Sequence, residues 1–282
     1  LPAIGMNMLL WTDRVGTEHF PIFDLIAAAG FDGVEIPLGP GDADHYRQMA
    51  RRIRDAGLRC TAVTAMDASN NPIDADPAVR KRAIDDLQQT LDLSGILGAE
   101  LLCGPFHSAF KVFNGRGPTE EEFERSAEVV AAAADYARDM PLALEFLNRF
   151  ECYLVNTPDD TSRLVDLIDR PNVGMLYDTH HAHIEVKDPA AAVRTNRRAI
   201  RHVHISENDR GVPGSGQARI FETLEALHAT GYDDWLTIEA FSRLNPDFAA
   251  AIHIWRDFFA DPNDVVHQGI RFIRDSWAQI AR

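Results

Sequence analysis

Cysteine is scarce in this chain: Cys60, Cys103 and Cys152 are three among 282 residues, widely spaced and without a CxxC pair. That argues against a disulfide framework and against a thiolate zinc site, and leaves each as a small buried residue at a strand end. Positive charge is also short. Lysine and arginine number 28 against 43 aspartates and glutamates, a formal net charge of −15, which repels a phosphate backbone and speaks against nucleic acid as a partner. No apolar run reaches the roughly eighteen residues of a membrane span, and Leu1–Leu10 lacks the charged start and long apolar stretch of a signal peptide. A soluble, cytoplasmic protein is expected, with the residues before Leu1 left open. No low-complexity linker or shift of composition interrupts the chain, so one domain over residues 1–282 is the simplest organisation.

What the chain does have is a regular alternation. Apolar strand-like runs occur at Ile4–Leu10, Gly33–Pro37, Arg59–Ala65, Glu100–Cys103, Leu142–Phe146, Val173–Tyr177, His202–Ile205 and Trp235–Glu239. Amphipathic helical stretches follow them at Phe20–Ala29, Ala43–Ala56, Pro77–Leu97, Glu120–Arg138, Thr157–Ile168, Pro189–Ala199, Ile220–Thr230 and Pro262–Ile280. Gly30, Gly57, Gly98 and Gly231 stand just past helix ends, where a left-handed residue stops a helix. Eight evenly spaced pairs predict an α/β protein, a closed (β/α)8 TIM barrel rather than an open doubly wound sheet, with helix 262–280 closing it. The connections Gly104–Thr119 and Ala240–Asp261 are longer than the others and belong to the face where barrel active sites form.

Each of the last four strands carries one ionisable residue at or near its end: Glu145 in LALEFL, Asp178 in GMLYD, His204 in HVHIS and Glu239 in LTIEAF. One such carboxylate is often a helix cap or an ion-pair partner. Four in step, one per strand, would converge at one end of the barrel axis. Three carboxylates and an imidazole form a mainly hard oxygen donor set, suited to manganese, magnesium or cobalt.

Around these residues the chain resembles the D-tagatose 3-epimerase and D-psicose 3-epimerase family. The matching stretches are LEFLNRFE at Leu144–Glu151, YLVNT at Tyr153–Thr157, DTHH at Asp178–His181, HISENDR at His204–Arg210, VPGSG at Val212–Gly216, IEAF at Ile238–Phe241 and WRD at Trp255–Asp257. The resemblance implies a metal-dependent isomerase, a ketose 3-epimerase of the tagatose, psicose and ribulose class that inverts C3 through an enediolate. It implies that Glu145, Asp178, His204 and Glu239 hold one divalent ion, Mn2+ first with Co2+ or Mg2+ as substitutes, and that Glu145 and Glu239 exchange the proton. Glu151, His181 and Arg210 are implied to hold the oxygens at the first carbons of the sugar, with Phe110 and Trp11 as further substrate contacts. A small-molecule sugar substrate and a homodimer or homotetramer are implied as well. The alternative is a related barrel isomerase or lyase acting on hydroxypyruvate, an inosose or a 3-keto glycoside.

The sequence departs from that pattern at GPFHSAF, Gly104–Phe110, where Phe110 stands at a position that often carries a tryptophan, and at Met6, Asn7 and Met8, which replace aromatic residues. Those positions are expected to shape the far end of the pocket. His180 and His183 read as loop or supporting histidines rather than a second metal site, and His202 as a barrel-interior neighbour of His204. Gly211–Gly216 lacks the lysine and hydroxyl ending of a phosphate loop and reads as a substrate-side loop. Thr119-Glu120-Glu121-Glu122 reads as a helix N-terminus, and Trp255 with Phe258 and Phe259 as a packed cluster or a contact surface.

Overall fold

The computed structural model describes residues 1–39 and 41–282. Eight strands, β1 (Ala3–Asn7), β2 (Gly33–Pro37), β3 (Arg59–Val63), β4 (Leu102–Gly104), β5 (Leu142–Glu145), β6 (Val173–Asp178), β7 (Ile200–Ile205) and β8 (Trp235–Ile238), close into one parallel barrel in chain order. Closure is direct, since β1 pairs with β8 from Ala3↔Trp235 to Met6↔Ile238. The helices are α1 (Phe20–Ala29), α2 (Ala43–Asp55), α3 (Pro77–Leu97), α4 (Glu120–Tyr136), α5 (Pro158–Ile168), α6 (Thr179–Glu185), α7 (Pro189–Asn196), α8 (Ile220–Ala229), α9 (Pro246–Ala251) and α10 (Pro262–Ile280). Short α6 and α9 fall where the eightfold sequence pattern has only connections. Among the described residues no helix is long and apolar enough to cross a membrane.

Local chemistry accounts for the helix boundaries. Asp76, Thr157, Asp188, Asn245 and Asp261 each cap a helix with a side-chain oxygen, and a proline follows each at the first helical position. The cap satisfies an orphan amide there, and the proline removes another. Thr119 and Glu122 form a capping box at the start of α4, as the acidic run suggests. Gly30, Gly57, Gly98 and Gly231 all adopt positive φ. The three cysteines are buried and free, Cys60 and Cys103 within strands and Cys152 in the connection after β5.

Strand parity places the site. Side chains alternate across a strand, so Ile4, Met6, Val34, Leu144, Tyr177, Val203 and Ile238 join the main core with the helices. Asn7, Glu35, Thr61, Cys103, Glu145, Asp178, His202, His204, Thr237 and Glu239 have the opposite parity and point into the barrel. All ten are buried. The register sets Asn7 beside Glu35, Glu35 beside Thr61, and Asp178 beside His204.

Gly104 ends β4 with φ +124, and a Cβ added there would lie 2.1 Å from the Thr64 carbonyl oxygen. Gly104→Ala is therefore expected to destabilise the chain by at least about 1–3 kcal/mol, read as a lower urea midpoint by circular dichroism. An unchanged midpoint would show that the strand end relaxes at no cost.

Candidate active site

At the C-terminal mouth of the barrel, Glu145 ends β5, Asp178 ends β6, His204 lies in β7 and Glu239 directly follows β8. All four are buried, and each offers one ligand atom within 4.8 Å of the others, so the convergence expected from the sequence is present. His204 Nδ1 lies 3.5 Å from Glu239 Oε1 and 3.7 Å from Asp178 Oδ2. That nitrogen is buried and has no hydrogen-bond partner. A lone pair aimed into three carboxylates is the arrangement a divalent cation completes, and the oxygen-rich donor set fits a hard one.

Arg210 reaches into the same cluster with backbone φ +64. Its Nη1 donates to Glu239 Oε2 at 2.6 Å, to Ser206 Oγ at 2.8 Å and to Asp178 Oδ2 at 3.2 Å. The guanidinium stacks over the Phe241 ring at 4.7 Å. Burial opposes ionisation of Asp178, but the Arg210 guanidinium beside it outweighs that and holds this carboxyl well below the usual range. Burial and the facing Glu239 carboxylate instead push Glu145 well above it. Two carboxyls of one cluster are thereby held at different proton affinities.

His181 stands in α6, whose N-terminus Asp178 caps through bonds from the His180 and His181 amides. The Asn148 amide donates to His181 Nδ1 at 3.0 Å, so a neutral His181 carries its proton on Nε2, which lies 3.5 Å from Glu145 Oε1. Burial, above all, keeps that imidazole neutral. Nη2 of Arg210 is 3.1 Å from the same Nε2. Two donors meet there, and an oxygen that accepts from both would satisfy them. Glu151 lies 3.9 Å from His181 Nδ1, its proton affinity raised by burial.

These groups open into a cavity of about 490 Å³ whose walls are largely apolar: Leu9, Leu38, Val63, Phe110, Leu147, Phe241, Phe248, Ile252 and Phe258. The two long connections supply much of it, Phe110 from the one after β4 and Phe241 to Phe258 from the one after β8. Glu145, Glu151, His181, Arg210, Glu239 and Phe110 all line this space. Trp11 does not; it follows the single turn Met8–Leu10 and packs, partly buried, against the main core. Met6 and Met8 do not shape the pocket either: Met6 points outward from β1 and Met8 is buried in the turn that follows, both in the main core, while Leu9 lines the cavity. Asn7 points inward, but below the cavity.

His180 donates Nδ1 to the Glu207 carbonyl, and burial pushes its pKa down to about 3; His183 is exposed, and neither joins a candidate metal group among the described residues. The Gly211–Gly216 segment is anchored by Glu207, which accepts from the Gly214, Asn208 and Ala218 amides. Glu35 escapes the sequence reading of the site, yet it accepts from both His204 and His202. A carboxylate inside the apolar run GVEIP was the available signal.

Residues 23–276 match the xylose isomerase-like TIM barrel family. The chain is 30% identical to the ketose 3-epimerase of Arthrobacter globiformis over 98% of this chain and 97% of that one. It is 33% identical to the L-ribulose 3-epimerase of Mesorhizobium japonicum over 93% and 89% of the two chains. A solved L-ribulose 3-epimerase structure superposes with a TM-score of 0.94 at 29% identity, covering 100% of this chain and 96% of that one.

Proposed function

Since the chain belongs to the ketose 3-epimerases of the xylose isomerase-like TIM barrel family, we propose that it is a metal-dependent isomerase inverting C3 of a free ketose of the tagatose, psicose and ribulose class. The observation that carries the reading is the pair Glu145 and Glu239, two buried carboxylates in one four-residue cluster, opening on a sugar-sized cavity. Glu145, Asp178, His204 and Glu239 hold the divalent ion. When bound, that ion, Mn2+ or the similarly suited Co2+ or Mg2+, supplies positive charge that acidifies the C3 proton and stabilises the enediolate.

The chain's own residues do the rest. One glutamate removes the proton from C3, and the other returns one to the opposite face. Each is a base in one direction and an acid in the other. His181 Nε2–H and the Arg210 guanidinium donate to the oxygens at the first carbons, and Glu151 accepts from a hydroxyl there. The apolar walls, Phe110 among them, exclude water from the carbanion side.

Incubation with a panel of free ketoses and Mn2+ tests the reading through formation of the C3 epimer. No epimer from any ketose, with turnover of inososes or keto glycosides, would replace it by the related isomerase or lyase chemistry.

Arg210→Ala separates substrate binding from metal binding. A hydrogen bond to a charged group contributes about 1.5–3 kcal/mol, so kcat/KM should fall roughly ten- to a hundredfold with one metal ion per chain retained. Loss of the ion along with turnover, measured by elemental analysis, would reassign Arg210 to the metal site.

A further inference from the structure

We propose that Glu35 is a positioning residue for the cation site, one that sets the ligand tautomer of His204 and the orientation of Glu239 from beneath; this rests on the metal-dependent reading above. Glu35 is wholly buried in β2 and lies outside the cavity lining and the four-residue cluster. Its two oxygens receive donors from four other strands. Oε1 accepts from Asn7 Nδ2 at 2.8 Å and His204 Nε2 at 2.7 Å. Oε2 accepts from Thr61 Oγ1 at 2.9 Å, His202 Nε2 at 2.8 Å and, more weakly, Cys103 Sγ at 3.2 Å. If Glu35 merely filled the barrel, an apolar side chain would fill it without desolvating a charge.

The Oε1 pair leads into the site. A carboxylate only accepts, so the hydrogen bond keeps a proton on Nε2 of His204 and turns Nδ1 toward Asp178 and Glu239. Nδ1 is the buried nitrogen with no hydrogen-bond partner. Asn7 is fixed in its turn, because its Oδ1 accepts from the Leu9 amide at 2.8 Å. Its Nδ2 must then face both Glu35 and Glu239 Oε1, the latter at 3.4 Å. Glu35 thus reaches two of the four cluster residues, one directly and one through an amide. Partners of this kind orient metal ligands and raise their basicity, and their loss costs about ten- to a hundredfold in metal affinity.

Glu35, Cys103, His202 and His204 also bring one potential ligand atom each within 4.8 Å of the others. Their contacts argue otherwise: the imidazole nitrogens sit on the Glu35 oxygens at hydrogen-bond distances of 2.7 and 2.8 Å. The lower constellation is a hydrogen-bonded support under the upper one.

The test is Mn2+ titration of the metal-stripped protein by calorimetry, comparing the unmodified chain with Glu35→Gln, Asn7→Ser and Thr61→Val. Glutamine keeps the shape and removes the charged acceptor. Serine retains an oxygen for the Leu9 amide and removes the bridge to Glu239. Valine removes a donor from Oε2, away from the site. The expected result is one ion per unmodified chain, an affinity lowered about ten- to a hundredfold in Glu35→Gln, a smaller loss in Asn7→Ser, and in Thr61→Val an affinity within about twofold despite a lower melting temperature. Equal weakening in Thr61→Val, no weakening in Glu35→Gln or Asn7→Ser, or two ions per unmodified chain would overturn the proposal. If Glu35→Gln does not fold, Asn7→Ser against Thr61→Val decides alone. No Mn2+ bound by the unmodified chain would remove the metal-dependent reading itself, a failure distinct from loss of the Glu35 role.

Discussion

Glu145→Gln and Glu239→Gln are each expected to keep the bound cation and to lose epimerisation by about a hundred- to ten-thousandfold, the range that general acid–base catalysis commonly contributes. Alanine would be ambiguous, since it removes ligand and base together. Glutamine preserves an oxygen for the metal and the shape of the side chain while removing the group that accepts a proton. The two replacements should be about equally damaging in the two directions of the reaction, because each glutamate serves as base in one and acid in the other. Turnover of the unmodified chain in deuterated water should place deuterium at C3 of the product. Product without deuterium at C3 would indicate direct transfer, and deuterium confined to C1 would indicate aldose–ketose isomerisation. Either result would displace the two-glutamate exchange.

Exhaustive chelation is expected to abolish activity, with recovery on adding Mn2+. Stripped of a cation, the cluster leaves Glu145, Asp178 and Glu239 buried together, with Arg210 as the cationic side chain hydrogen-bonded to two of them. Like charges in a low-dielectric site repel strongly. The metal-free chain should therefore also melt at a lower temperature. Binding of a ligand at a hundred times its dissociation constant contributes about 2.7 kcal/mol of stability, and the melting shift should follow Mn2+ concentration by that relation. Full activity after chelation, with no metal by elemental analysis, would exclude the cation from the reaction.

The barrel was legible because its signals are local. Asp76-Pro77, Thr157-Pro158, Asp188-Pro189 and Asp261-Pro262 mark helix starts through cap and proline, and four glycines mark helix ends, all within a turn of backbone. The four cluster residues were legible for a related reason. A charged side chain in an apolar run is anomalous wherever the strand packs, and Glu145, Asp178, His204 and Glu239 lie on consecutive strands. Glu35 is the same anomaly, but on β2 it stands apart from that run of strands. Its partners come from β1, β3, β4 and β7, and no spacing along the chain links them.

The amino-acid sequence alone determined the alternation of strand and helix, the helix ends and the residue types able to bind a cation, since each depends on neighbours within a few positions. The tertiary structure decided which side chains meet. Strand parity sent Met6 into the outer core and Asn7 inward, and the turn Met8–Leu10 that follows β1 set Met8 in the core, Leu9 on the cavity and Trp11 outside it. Barrel closure brought β1 against β8, so that Asn7 stands between Glu35 and Glu239 across 232 residues of chain. Such contacts depend on register and closure, which are properties of the whole sheet rather than of any segment.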